Sequence, residues 1–235
     1  MIKTIHTIAF DGDDTLWHNE SLYALTQEKF AQLLAPYHDA AWVDRKLYET
    51  EMRNMRLYGY GLKAFTLSMI ETAIELTEGR IQGYEIQQII DATKAIRQAK
   101  VALLDGVATA VAQLAETHRL MLITKGDLLD QEAKIAGYGL ADFFADVEIV
   151  SDKTAVTYQT IMDKYQIPAE QFLMVGNSLK SDVLPVVELG GIGVHIPYHI
   201  TWEHETVGEQ QQETAVYHAL THISQLPELV ARLAG

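Results

Sequence analysis

Three observations predict an α/β protein with a mostly parallel sheet covered on both faces. Strand-like and helical segments alternate from about residue 100 onward, and the strand-like segments are almost continuously apolar. A lone β-rich run opens the chain and is followed by about eighty residues of helical character. The run is IHTIAF (5–10), and the acidic stretch DGDDT (11–15) follows it directly. Between residues 20 and 98 no segment reads as a strand, whereas Leu62, Phe65, Met69, Ala73 and Leu76 recur at steps of three and four, as one face of a helix requires. Breaks are expected near Pro36, at Gly59–Gly61 and at Gly79–Gly83.

The second half supplies the remaining units in turn. Val107, Val111 and Leu114 mark a helix, RLMLIT (119–124) a strand, LLDQEAKIAGYG (128–139) a helix ending in glycine, and VEIV (147–150) a short strand. TAVTYQTIMDKY (154–165) reads as a helix, QFLMVGN (171–177) as a strand, SDVLPVVELG (181–190) as a helix and GIGVHI (191–196) as a strand. The polar segment 203–214 is expected to be a surface loop, with PELVARL (227–233) a closing helix. Because the first strand precedes the helical block, the economical division is a core of residues 1–18 and 99–235 with an insert of 19–98.

Composition removes several function classes. The 235 residues are 48% hydrophobic, enough to fill a substantial core, and contain no cysteine, so neither a disulfide framework nor a thiolate metal site is possible. Eighteen basic against 32 acidic residues give a net charge of −14, which opposes attraction to nucleic acid or anionic lipid. No run approaches the roughly 20 apolar residues of a membrane helix, and no leader is evident, so a soluble, cytoplasmic protein is expected.

Ligands of open α/β sheets bind at the carboxyl ends of the strands, where DGDDT sits. At the other strand ends stand Thr124, the pair Asp152 and Lys153, and Ser178 with Asp182. Carboxylates crowded there stay ionised only if a cation lies among them. Oxygen ligands of this kind suit Mg²⁺, which takes one or two carboxylates, water and a substrate phosphate.

These residues carry a resemblance. DGDDT fits the D-x-D-x-T motif of the haloacid dehalogenase superfamily. Thr124 in LITKGD, Lys153 in SDKT and GNSLKSD (176–182) fall in the order and rough spacing of its other three motifs. The resemblance spans essentially the whole chain and implies a Rossmann-like three-layer core with an inserted helical cap of the C1 type. It implies a phosphatase acting on a small phosphorylated metabolite, with Asp11 as nucleophile and Asp13 as general acid and base. Mg²⁺ would be held by Asp11, the Asp13 carbonyl and Asp182, with Thr124 and Lys153 on the phosphoryl oxygens and Thr15 fixing the loop. Three positions depart from the pattern. Asp14 stands where glycine is frequent. Asn177 stands at a metal-binding aspartate position, where its amide oxygen still suits the ion. Lys125 stands where asparagine is common and is grouped with the substrate-binding residues. Trp17 and His18 are expected to line the mouth of the site, and Arg56 and Lys63, flanking the Gly59–Gly61 loop, to contact the substrate beyond its phosphate.

Other readings fit less well. A calcium loop counted from Asp11 needs glycine sixth and a carboxylate twelfth, where Leu16 and Leu22 stand. A dehalogenase on the same scaffold would not need Asp13. A phosphoaspartate signalling module carries its acceptor at a later strand and has no helical insert. A phosphomutase differs mainly in what accepts the phosphoryl group and stays open.

Overall fold

A computed structural model describes residues 5–100, 102–208 and 215–234. The chain forms two compact units, one of Met1–Glu20, Val101–Lys125 and Gln131–Gly235, the other of Ser21–Lys100 with Gly126–Asp130. The second unit is built from α1 (Glu20–Leu34), α2 (Ala40–Tyr58), α3 (Leu62–Leu76) and α4 (Gly83–Gln98). Their core gathers Phe30, Leu34, Val43, Leu47, Ile89 and Ile96 around the five residues whose spacing predicts the face of α3. The breaks have local causes. Asp39 caps α2 by accepting the Trp42 N–H at 2.9 Å, and Gln82 and Glu85 form a capping box on α4. Gly61 adopts φ 120°, and a Cβ there would meet the Asp127 nitrogen at 2.9 Å.

The first unit is a six-stranded, all-parallel sheet of order β3-β2-β1-β4-β5-β6. Its strands are β1 (Thr7–Phe10), β2 (Arg119–Lys125), β3 (Asp146–Val150), β4 (Phe172–Gly176), β5 (Ile192–His195) and β6 (His218–Ala219). Side chains alternate between two cores, as the period of two demands. Ile8, Phe10, Leu120, Leu122, Leu173 and Val175 face a core shared with α5 (Val107–Ala115), α6 (Leu128–Gly137) and the closing α9 (Leu226–Ala234). Ala9, Met121, Ile123, Phe172 and Met174 face the other, shared with α7 (Ala155–Tyr165) and α8 (Leu184–Glu188). This is the three-layer, Rossmann-like α/β architecture, with β1 in the middle of the sheet. Phe10 lies opposite both Leu122 and Val175, so Asp11 emerges level with the end of β4 and two residues short of the end of β2.

Two elements depart from the sequence reading. SDVLPVVELG is not one helix: a π-helical turn spans Leu179–Val183 and α8 begins after it. Pro185 has no N–H to offer the Ser181 carbonyl, which instead accepts the Tyr158 hydroxyl at 3.1 Å. The short β6 has no apolar run to announce it, and in the polar segment 203–214 the positions 209–214 lie outside the described residues.

Candidate active site

The loop after β1 is drawn tight by its own sequence. Gly12 accepts backbone N–H groups from Thr15, Leu16 and Trp17, and a Cβ at Gly12 would lie 2.6 Å from the Trp17 ring. Asp14 takes φ 62° and its carboxylate accepts the Asn19 and Glu20 N–H groups at 2.8–3.1 Å, capping α1. That accounts for the acid at a position where glycine is frequent: it starts the next helix and supports the loop.

Asp11, buried at 6% exposure, points into the site. Its Oδ1 accepts from Lys153 Nζ at 2.5 Å and its Oδ2 from the Thr15 hydroxyl at 2.9 Å. The same lysine donates to Asp182 Oδ1 at 2.7 Å, and Asp182 Oδ2 accepts the Ser178 N–H at 3.0 Å. The Thr15 hydroxyl oxygen accepts the Asn177 N–H at 3.0 Å and lies 3.3 Å from the Asn177 amide oxygen. Three segments distant in sequence are thus joined through one buried ammonium and one hydroxyl. Gly176 makes room for this: a Cβ there would fall 2.2 Å from Asp182 Oδ2.

The electrostatics are unbalanced. Burial pushes the Asp11 carboxyl up to about 7, with Lys153 pulling against it and Asp182 adding to the rise. Burial works against charge on Lys153, but the two carboxylates outweigh it and hold the ammonium above the ordinary lysine value. Two buried carboxylates share one cation, so the cluster is short of positive charge.

Asp13 faces a different set of groups. Its Oδ1 accepts from the Trp17 indole at 2.6 Å and from Lys134 at 2.9 Å, and its Oδ2 from Gln131 at 2.9 Å and Lys134 at 3.0 Å. Burial opposes its ionisation, yet Lys134, then Gln131 and the indole, hold it below the usual carboxylate range. Lys134 also donates to the Asn19 amide oxygen at 2.8 Å.

Thr124, 1% exposed, ends β2 beside the Asp11 loop, its hydroxyl 3.4 Å from where a Gly12 Cβ would be. Lys125 turns to Ser181 Oγ at 2.8 Å and to Glu205. Trp17 corrects its expectation. It is 1% exposed, stacked on Tyr138 with ring centroids 4.8 Å apart, and holds Asp13 from within the core; a large flat ring is better buried there than left at a mouth. His18 pairs through Nδ1 with the Tyr198 hydroxyl at 2.7 Å. Arg56 is exposed in the last turn of α2, and Lys63 pairs with Asp127 at 2.7 Å, both in the helical unit.

Sequence reasoning missed Gln131, Lys134 and Glu205. The first two stand three apart on one face of α6, a spacing that shows a shared face but not what it meets. Glu205 lies in a segment expected to be a solvated loop, and there the structure overturns the expectation: its side chain, 12% exposed, is bound by Lys125, Ser178 and Ser181.

Comparison with known proteins agrees with this geometry. A family model described as haloacid dehalogenase-like hydrolase matches residues 5–190. Among solved structures, a haloacid dehalogenase-like family hydrolase from Xanthomonas campestris is 41% identical, with a TM-score of 0.87 over 98% of this chain and 92% of that one. A predicted phosphoglycolate phosphatase from Haemophilus somnus superposes with a TM-score of 0.64 at 15% identity, over 97% of this chain and 99% of its own. A 2-haloacid dehalogenase from Pseudomonas syringae does so with a TM-score of 0.62 at 20% identity, over 97% and 99%. No curated protein matches by sequence. The match along most of the chain, on a parallel sheet whose strand ends gather Asp11, Thr124, Lys153 and Asp182, places this protein in the haloacid dehalogenase-like hydrolase family.

Proposed function

We propose that the protein is a Mg²⁺-dependent phosphatase that hydrolyses a small phosphorylated metabolite through an aspartyl phosphate on Asp11. The observation that carries this reading is the second carboxylate. Asp11 and Asp13 leave the same strand end two residues apart, Asp11 held by Lys153 and Thr15 and Asp13 by Lys134, Gln131 and Trp17, so a second, separately oriented carboxylate stands beside the first. Halide displacement needs only the first.

In this mechanism an Asp11 oxygen attacks phosphorus as the bond to the leaving alcohol breaks, and Asp13 gives that alcohol its proton. Water then attacks the aspartyl phosphate, Asp13 takes back a proton, and inorganic phosphate and free Asp11 result. Lys153 orients Asp11 and, with Thr124, receives the phosphoryl oxygens. A dianionic phosphoryl group beside Asp13 offsets the pull of Lys134, so substrate itself prepares Asp13 to hold a proton.

The donor set fits a hard divalent cation. It offers oxygen only, from Asp11, the Asp13 carbonyl, Asn177 and Asp182, and its buried charge is short of a cation. Bound Mg²⁺ would neutralise charge on the transferring group.

A dehalogenase remains the second reading, because both Asp13 oxygens are engaged by Trp17, Gln131 and Lys134, as a purely structural acid's would be. One experiment separates them: release of phosphate from a panel of phosphate esters, and of halide from 2-haloacids, each with Mg²⁺ and with chelator. Phosphate release that chelator abolishes and Mg²⁺ restores supports the proposal; metal-independent halide release alone would overturn it.

A further inference from the structure

Outside the four motifs, a half-buried carboxylate reaches the site from the segment between β5 and β6. Glu205 Oε2 accepts the Ser178 hydroxyl at 2.5 Å and the Ser181 hydroxyl at 2.6 Å, while its Oε1 accepts from Lys125. The network closes on itself. Ser181 Oγ also accepts from Lys125 at 2.8 Å, and Ser178 Oγ accepts the Ser181 N–H at 3.0 Å. Ser178, next after Asn177, caps the π-helical turn that carries Asp182, and Ser181 lies within it, whereas Lys125 follows Thr124 at the end of β2. Burial works against ionisation of Glu205, but Lys125 and the two hydroxyls hold its carboxyl down at about 2.

We propose that Glu205 is a positioning residue: by tying the loop after β4 to the end of β2, it fixes Asn177 and Asp182 relative to Thr124 and so sets the geometry of the cation and phosphoryl sites. This rests on the phosphatase reading of those residues. The arrangement explains why Lys125 is tolerated where asparagine is common. Its ammonium is turned onto Glu205, leaving Lys153 to serve Asp11. A carboxylate with three donors is also stiffer than any single contact, because each donor restrains the others.

The test compares Glu205→Gln, Glu205→Asp, Ser181→Ala and the double variant Lys125→Gln/Glu205→Gln with the parent. Thermal unfolding, Mg²⁺ binding by calorimetry and steady-state kinetics on the preferred phosphate ester are measured for each. Outer partners of metal ligands typically contribute roughly 10-fold to 100-fold to affinity or activity. Glu205→Gln is therefore expected to weaken Mg²⁺ binding and lower kcat/KM by about tenfold or more. Glu205→Asp should recover part of both, and the double variant should lose less than the single, since it leaves no lysine deprived of its carboxylate. Ser181→Ala removes one donor only and gives a folded reference should Glu205→Gln unfold. Mg²⁺ affinity and kcat/KM within twofold of the parent in the folded variants, with only the melting temperature lowered, would overturn the proposal and leave Glu205 a latch for its own segment. A parent that turns over no phosphate ester sinks the phosphatase reading instead, and hydrogen exchange then decides the positioning role. Faster exchange in Glu205→Gln at both 124–126 and 177–182 supports it, and unchanged exchange at 177–182 overturns it.

Discussion

Asp11 and Asp13 differ in what surrounds them more than in what they are. Replacing Asp11 by Asn keeps its size and the Thr15 contact but removes the oxygen proposed to attack phosphorus. Turnover should vanish while the circular dichroism spectrum and melting behaviour stay near the parent's. Asp13→Asn deletes the proposed proton carrier, for which a loss of about 10²-fold to 10⁴-fold in kcat is expected in the same assay. At Asn177 the direction reverses. If its side chain faces the cation, Asn177→Asp adds a charge worth about 1 kcal/mol or more, and the Mg²⁺ concentration for half-maximal activity should fall. At this scale the sequence was legible wherever chemistry imposes residue order: Asp11, Thr15, Lys153 and Asp182 converge as their order suggests. It was illegible for Trp17, because an aromatic next to a polar motif reads the same whether it lines an opening or packs beneath it.

Among the elements, the loop after β4 and its π-helical turn are the most constrained. Gly176→Ala would press a methyl group into the Asp182 carboxylate, and a clash at 2.2 Å against a buried charged group forces the turn to shift. Destabilisation of about 1–3 kcal/mol, read from urea denaturation, is expected together with loss of activity. Glu205 adds a pH signature. Its folded pKa of about 2 lies below the ordinary 4.5, so its contribution to stability is fully present above about pH 4.5 and fades as pH falls towards 2. The gap in melting temperature between the parent and Glu205→Gln should therefore be widest near neutrality and shrink steadily between pH 5 and pH 2. Strands and long helices were legible because their apolar periods are long enough to read. The two-residue β6 and the turn at Leu179–Val183 were not, since one is too short to show a period and the other follows from where Pro185 cannot donate.

Across the whole molecule, the helical unit and the sheet unit each have a core of their own, and the four motifs belong to the sheet unit. If the helical unit selects substrates, Arg56→Ala should rescale kcat/KM unevenly across a panel of phosphate esters, by about tenfold for those it contacts, with Mg²⁺ dependence unchanged. Equal rates and ranking would place selection elsewhere. The position of β1 has a further consequence, in time rather than in space. The central strand is the first one made, yet its partners are residues 119–122 and 172–175, so both of its edges wait for chain more than a hundred residues away. Closing such loops comes before any reward from pairing, which makes long-range parallel sheets slow to form. Asp11, attached to the end of β1, is therefore set in its surroundings late. A chain stopped before residue 172 would carry Asp11 without Asp182 or the strand that aligns it, and so would hold the first of these carboxylates long before its surroundings existed.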